Sequence, residues 1–327
     1  MFNNFINIHD IFALVKKIIK LDFKVIFSKL FSSRHEKTKK IWDVQENSAA
    51  TWLDIPKIKD HCNFLISGNP NIDSYSYLAT KYLSNKKSLA ALSLGSGNGK
   101  SEENWVKYNK FKRIDCYDLS ESIIDFAKER AIKNNYNSIV NYQAIDVNKL
   151  EKSPDSYDII YAEHSLHHFT PLENILVKIS KFLKKDGLLF INEYVGPSRF
   201  QWDDNQLKII NNILQLLPEK YKLKEDKKSL RLKAYKYSKL RMILHEPSEA
   251  VESANILPLL KKIFKILEIK EYGGTILQYL LFEIGHNFLL EDSLTNEIID
   301  ILIKIEDMFI KNKILKSDFI VAICNKK

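Results

Sequence analysis

The sequence predicts an α/β protein built on a parallel sheet with helices on both faces. Three observations carry this expectation. The apolar run 89–94 stops in Gly95-Ser96-Gly97-Asn98-Gly99, so three of the chain's nine glycines fall within five residues. The next two apolar stretches, 113–117 and 139–145, each end at an acidic residue, Asp118 and Asp146. From about residue 85 to 195, short apolar runs alternate with stretches of helical periodicity, the pattern of strands joined by crossover helices.

Taken in order, Phe5, Ile8, Ile11, Phe12, Val15, Ile18, Ile19 and Phe23 recur at helical spacing, interrupted by Lys16, Lys17, Lys20 and Lys24. Residues 1–30 therefore read as an amphipathic helix. It either packs on the body of the protein or touches an anionic membrane surface as a peripheral contact. No small-residue cleavage site follows it, which argues against a signal peptide. Trp42, Trp52 and Pro56 mark the rest of an N-terminal extension over 1–60. A helix and turn are expected over 61–84, with Gly68-Asn69-Pro70-Asn71 as the turn. Strands are expected at 89–94, 113–117, 139–145, 157–162 and 187–193, with helices between them. Ser120 is suited to cap the helix through Ile123, Ala127 and Ile132. Residues 196–260 read as mostly helical. A sixth strand is expected at Phe264–Glu271, then Gly273-Gly274, apolar helices near 275–290 and 293–312, and a last strand at Asp318–Cys324. The core is thus 61–195 with 262–327. Residues 196–261 form a helical cap insertion, to which 275–315 contribute.

The chain has 327 residues, 45% of them apolar and 28% charged, which suits a globular protein with a large core. The net charge of +9 comes largely from dispersed lysine, without an arginine-rich cluster or an aromatic-basic pattern, so no nucleic-acid partner is expected. A moderately basic surface suits an anionic small substrate or a membrane surface. Cys62, Cys116 and Cys324 are too few and too scattered for a disulfide framework, and point to a reducing compartment. No apolar run reaches spanning length without charges. The expected location is cytoplasmic, with possible membrane-peripheral contact through residues 1–30; oligomeric state is left open.

The glycine turn places backbone where a ligand can approach closely. An acidic residue at the end of the following strand, here Asp118, accepts hydrogen bonds from ribose hydroxyls in nucleotide-binding α/β folds. Asp146, at the end of the third strand, can receive an exocyclic amino group of adenine. A nicotinamide oxidoreductase competes for this pattern, but its G-x-G-x-x-G turn would place the third glycine one position later.

Leu94-Gly95-Ser96-Gly97-Asn98-Gly99, Tyr117-Asp118-Leu119-Ser120 and Ala144-Ile145-Asp146-Val147 come in the order and spacing of one family. Tyr157-Asp158-Ile159-Ile160-Tyr161-Ala162, Leu166-His167-His168-Phe169 and Leu183-Lys184-Lys185-Asp186-Gly187-Leu188-Leu189 continue it. Over roughly 85–195 the chain resembles the class I S-adenosylmethionine-dependent methyltransferases. The resemblance implies a doubly wound, Rossmann-like, seven-stranded and mostly parallel sheet whose last strand is antiparallel. It also implies S-adenosylmethionine as cofactor, with Gly95, Ser96, Gly97, Asn98, Gly99, Asp118, Leu119, Asp146, Val147, Glu163 and His164 as its binding residues. The family often has an acidic residue two positions before the first glycine, where this chain has Ser93. The methionine amino group then falls to a backbone carbonyl or to Glu163.

Methyl transfer needs alignment of the acceptor and, for a hydroxyl, removal of its proton. The fourth strand ends in Glu163-His164-Ser165-Leu166-His167-His168, which gathers three of the chain's eight histidines. His167 and His168 are candidate bases, and Glu193, at the end of the fifth strand, is a third. Tyr194, Arg199, Trp202 and Tyr272 are candidates to line an acceptor pocket. Glu163, His164, His167 and His168 are ligand types, but their spacing matches no zinc signature and no metal is expected. Glu246-Pro247-Ser248-Glu249-Ala250, Tyr272-Gly273-Gly274-Thr275 and the stretch Asn192-Glu193-Tyr194-Val195-Gly196-Pro197 together loosely resemble a bacterial branch acting in surface-glycan and secondary biosynthesis. The expected function is methyl transfer to an oxygen or nitrogen of a small molecule or glycan precursor. The alternative is a non-catalytic cofactor-binding subunit that holds a partner.

Overall fold

The structure is a computed structural model that describes residues 50–327. The amphipathic helix expected at 1–30, and Trp42, lie outside the described residues. β1 (Leu89–Leu94), β2 (Phe111–Asp118), β3 (Val140–Ala144), β4 (Tyr157–Glu163), β5 (Leu183–Tyr194), β6 (Phe264–Glu271) and β7 (Phe319–Lys326) form one sheet. Its order is β3-β2-β1-β4-β5-β7-β6. β1 to β5 pair in parallel, and β7 runs antiparallel to both β5 and β6. The chain steps outward from β1 through β2 to β3, then returns to β4 on the other side of β1. The crevice above β1 and β4 is therefore the switch point, where α/β folds bind ligands.

β1 is buried at every position, as a central parallel strand covered on both faces must be. On one face lie α1 (Pro56–Ser67), α2 (Ser74–Leu83), α3 (Lys100–Val106) and α4 (Glu121–Lys133), which contribute Ile58, Leu78, Trp105 and Ala127 to the core. On the other face, α5 (Leu172–Phe182) contributes Ile175, Leu176 and Ile179. Ser120 caps α4 by accepting from the Ile123 N–H at 3.3 Å. Where one helix was expected over 61–84 there are two. Gly68 ends α1 at φ +82°, a left-handed position that glycine takes without a Cβ clash. Asp73 then caps α2.

The segment after β5 contains α6 (Asp204–Leu216), α7 (Lys239–His245) and α8 (Ser253–Ile263); after β6 come α9 (Leu277–Leu281) and α10 (Ser293–Lys311). The cap boundary expected at 261 needs correction. α8 packs on α5 and β6 through Ile256 and Leu260, so it belongs to the sheet's flank. Likewise α10 lies along α1, burying Ile299 and Leu302. The cap proper is 197–250 with 275–290. Trp202 joins its two parts by stacking on Tyr279, centroids 4.1 Å apart and planes at 22°. α9 is held at both ends. Glu306 of α10 accepts from the N–H groups of Gly274, Ile276 and Leu277 at 2.6–2.9 Å. Arg231, buried, donates to the carbonyls of Tyr279 at 2.5 Å and Leu280 at 3.0 Å, and to that of Phe282. Among the described residues no helix is long and apolar enough to cross a membrane.

Candidate active site

A cavity of about 440 Å³ opens at the carboxyl ends of β1 to β4. Gly95, Ser96, Gly97 and Asn98 form one wall, Asp118 and Leu119 a second, and Asp146 and Val147 a third. Gly97 has φ +52°, and a Cβ placed there meets nothing within 4 Å, so the turn presents bare backbone to open space. Gly95 is required for the opposite reason, because its Cβ would sit 2.5 Å from that of Ser165. Asp118 accepts from the Gly97 N–H at 3.0 Å and the Ser120 N–H at 3.1 Å, which fixes its carboxylate at the end of β2. Burial raises its pKa. Asp146 accepts from the Asn148 N–H at 2.9 Å. The Ser96 hydroxyl is buried in this wall with no hydrogen-bond partner among the described residues. Such a group calls for a ligand. Gly99 lies outside the cavity lining. It starts α3, and its Cβ would meet the Tyr142 hydroxyl at 2.6 Å.

Glu163 and His164 reach the same cavity from the end of β4. Glu163 accepts from the Tyr75 O–H at 2.6 Å and the Trp105 indole N–H at 3.0 Å. Burial pushes its pKa up to about 7, against those hydrogen bonds. Ser93, at the position where the family often has an acid, works with Tyr161 and Tyr142 against the rise that burial imposes on the pKa of Glu102 in α3. Glu102 is itself fully buried and accepts from the Tyr161 O–H at 2.9 Å.

A second cavity of about 540 Å³ lies beneath the cap, walled by Trp52, Tyr194, Phe200, Leu281, Phe282 and Phe319. Its polar residues include His164, His167, Glu225, Glu249, Gln278 and Glu283. No lysine or arginine is among its described lining residues. His164 lines both cavities. It stands at φ +51°, an uncommon backbone state for a non-glycine residue, and its N–H donates to the Asn192 carbonyl at 2.8 Å.

Next to His164, the His167 Nδ1 contacts a Glu193 oxygen, and its Nε2 lies 3.6 Å from Glu249 Oε1. Burial works to lower the His167 pKa, but the charges of Glu193, Glu249 and Glu246 outweigh it and raise it to about 9. His168 lines the first cavity, with its Nδ1 3.9 Å from Glu249 Oε2.

Several expected roles require correction. Glu193 does not face either cavity. It is fully buried and accepts from the N–H groups of Ser165 (2.9 Å), Leu166 (2.6 Å) and Tyr194 (2.7 Å) as well as from His167. Its carboxylate closes the turn after β4, so it is a positioning residue. Arg199, Trp202 and Tyr272 line neither cavity. The Arg199 guanidinium donates to the carbonyls of Glu246 at 3.3 Å and Glu249 at 3.2 Å. Trp202 is the cap's own core, and the Tyr272 O–H donates to Asn192 Oδ1 at 2.6 Å. Tyr194 lines the second cavity, with its O–H donating to the Pro197 carbonyl at 3.2 Å. Conversely, residue patterns alone did not show that Tyr75 and Trp105 hold Glu163. Nor did they show that Glu249 meets His167, although Glu246-Pro247-Ser248-Glu249 stood out as a stretch.

Residues 92–189, which run from β1 into β5, match a family model described as a methyltransferase domain. This stretch is thus a methyltransferase domain, of the kind that the resemblance to the class I S-adenosylmethionine-dependent methyltransferases implied. S-adenosylmethionine is the cofactor that a domain of this kind uses. A cavity of this volume is of ligand size, and its bare Gly97 backbone and orphaned Ser96 hydroxyl fit that cofactor.

Among curated relatives, the chain is 31% identical over 101 residues to a ubiquinone biosynthesis O-methyltransferase of Coxiella burnetii, covering 31% of this chain and 42% of that one. It is 27% identical over 136 residues to the highly reducing polyketide synthase AFT9-1 of Alternaria alternata, covering 38% of this chain and 4% of that one. The chain thus spans less than half the length of these relatives. The geranyl diphosphate C-methyltransferase of Streptomyces coelicolor A3(2) shares the fold, with a TM-score of 0.53 at 12% identity over 91% of this chain and 99% of that one.

Proposed function

We propose that the protein transfers the methyl group of S-adenosylmethionine to a hydroxyl oxygen or amine nitrogen of a small, largely apolar acceptor held in the second cavity. The observation that carries this reading is His164, which lines both cavities and so marks the place where they meet. The bound cofactor supplies a sulfonium methyl carbon; the acceptor's lone pair bonds to it while the C–S pair stays on sulfur. Asp118 takes the ribose hydroxyls, Asp146 and Val147 the adenine edge, and Glu163 with His164 the methionine end. The acceptor group faces His167 and Glu249, and its proton passes to the Glu249 carboxylate.

The second cavity's lining also bears on the acceptor. Its aromatic walls favour a flat or hydrocarbon body, and Glu225, Glu249 and Glu283 favour a neutral or cationic one. Arg199, a candidate for lining the acceptor pocket, has its guanidinium on backbone carbonyls and offers no anion site there. The name of the Coxiella burnetii relative, an O-methyltransferase of ubiquinone biosynthesis, agrees with a hydroxylated aromatic. The test is formation of S-adenosylhomocysteine from S-adenosylmethionine with a panel of phenols, aromatic amines and carboxylated or phosphorylated counterparts. The reading expects turnover confined to neutral or cationic members. Turnover confined to the anionic ones would overturn it.

A further inference from the structure

We propose that His167, His168 and Glu249 form a binding site for a divalent first-row transition-metal ion at the junction of the two cavities. One ligand atom from each residue lies within 4.8 Å of the others. The closest approaches to Glu249 are 3.6 Å from His167 and 3.9 Å from His168. Metal–ligand bonds of about 2.0–2.2 Å in a tetrahedron put ligand atoms about 3.3–3.6 Å apart, so side-chain rotations that close the present separations by no more than about 1.5 Å bring the three together.

The surroundings are built as such sites are. His167 directs its Nδ1 at Glu193, which leaves Nε2 aimed at Glu249. A carboxylate behind an imidazole is the arrangement that orients metal-ligating histidines. Glu193 is in turn locked by the backbone N–H groups of Ser165 and Leu166. The loop carrying Glu249 is fixed opposite the histidines, because the Val251 N–H donates to the His167 carbonyl at 3.0 Å and Arg199 binds the Glu249 carbonyl. An independent observation points to a ligand here. The Ser248 hydroxyl, 4% exposed and without a hydrogen-bond partner, lines the first cavity with His168.

Two imidazoles and one carboxylate suit Zn²⁺, Co²⁺, Ni²⁺ or Fe²⁺ rather than Mg²⁺. Three protein ligands leave coordination positions for a water or an acceptor oxygen. His168 reaches this place from the first cavity, and His167 and Glu249 reach it from the second. A role in presenting the acceptor rests on the function proposed above, whereas occupation by the ion does not.

The test uses the full chain, stripped with a chelator and titrated with Co²⁺, followed by visible absorption, with Zn²⁺ retention after dialysis measured by elemental analysis. One ion per chain is expected, with no displacement by millimolar Mg²⁺. Glu249→Gln and His168→Gln should each lower ion affinity tenfold or more. Glu193→Gln, which keeps all three ligands, should lower it about 10–100-fold. Titration of Glu249→Gln with S-adenosylhomocysteine serves as the check on folding. An unchanged Co²⁺ spectrum in the wild type, or ion binding unaffected by the Glu249 and His168 variants, would overturn the site. Failure of the wild type to bind S-adenosylhomocysteine would instead overturn the cofactor reading and leave the ion result standing.

Discussion

With Glu163 at the methionine end of the proposed cofactor site, cofactor affinity is expected to depend on pH. In the free protein burial raises its pKa to about 7, so near neutrality the carboxyl is half protonated. The α-ammonium group of S-adenosylhomocysteine needs the ionised form. Affinity should therefore fall about tenfold for each pH unit below 7, which corresponds to about 1.4 kcal/mol per unit. The same shift acts on stability with a definite sign. The folded pKa of about 7 exceeds the ordinary 4.5, so the unliganded fold binds the proton more tightly than the unfolded chain does. Glu163's contribution is fully present below 4.5 and is lost as pH rises to about 7, a change of roughly 3 kcal/mol. Calorimetric titration with S-adenosylhomocysteine from pH 5.5 to 7.5, in two buffers of different ionisation enthalpy, reads both the affinity and the protons released. Glu163→Gln should flatten the pH dependence and, at pH 7.5, weaken binding by roughly 1.5–3 kcal/mol. A wild-type affinity independent of pH, or the same slope in the glutamine variant, refutes the assignment.

Gly97→Val places a branched side chain in the open cavity at a positive φ, so binding of S-adenosylhomocysteine should drop at least tenfold while the circular dichroism spectrum keeps its α/β form. Trp202→Ala removes the stack that joins the two parts of the cap and should cost about 3–5 kcal/mol in chemical denaturation; an acceptor-specific KM effect at unchanged stability would contradict this. Arg231→Met leaves the carbonyls at the end of α9 without their donor and should cost about 3 kcal/mol by the same measurement.

What the sequence made legible follows from the range of each interaction. Strand ends, the glycine turn and the Ser120 cap are local, and Asp118 and Asp146 project into the cavity because parallel strands end on one edge. The cap boundary was not legible, since α8 carries the same apolar periodicity as α6. Only its contact with α5 and β6 places it on the sheet's flank. Glu193 illustrates a second limit. A carboxylate at the end of a central strand looks like a base, but the N–H groups of the turn after β4 draw it inward. The buried acid beneath the glycine turn comes from α3 instead of position 93. The partnership of Glu249 with His167 depends on a loop folded back from distant sequence, which no spacing records.

The most direct test is a crystal structure with S-adenosylhomocysteine. The nucleoside should lie between Asp118 and Asp146, the methionine end at Glu163, and the sulfur beside His164, facing the second cavity. A nucleoside bound elsewhere, or a sulfur turned away from the cavity beneath the cap, would contradict methyl transfer at this junction.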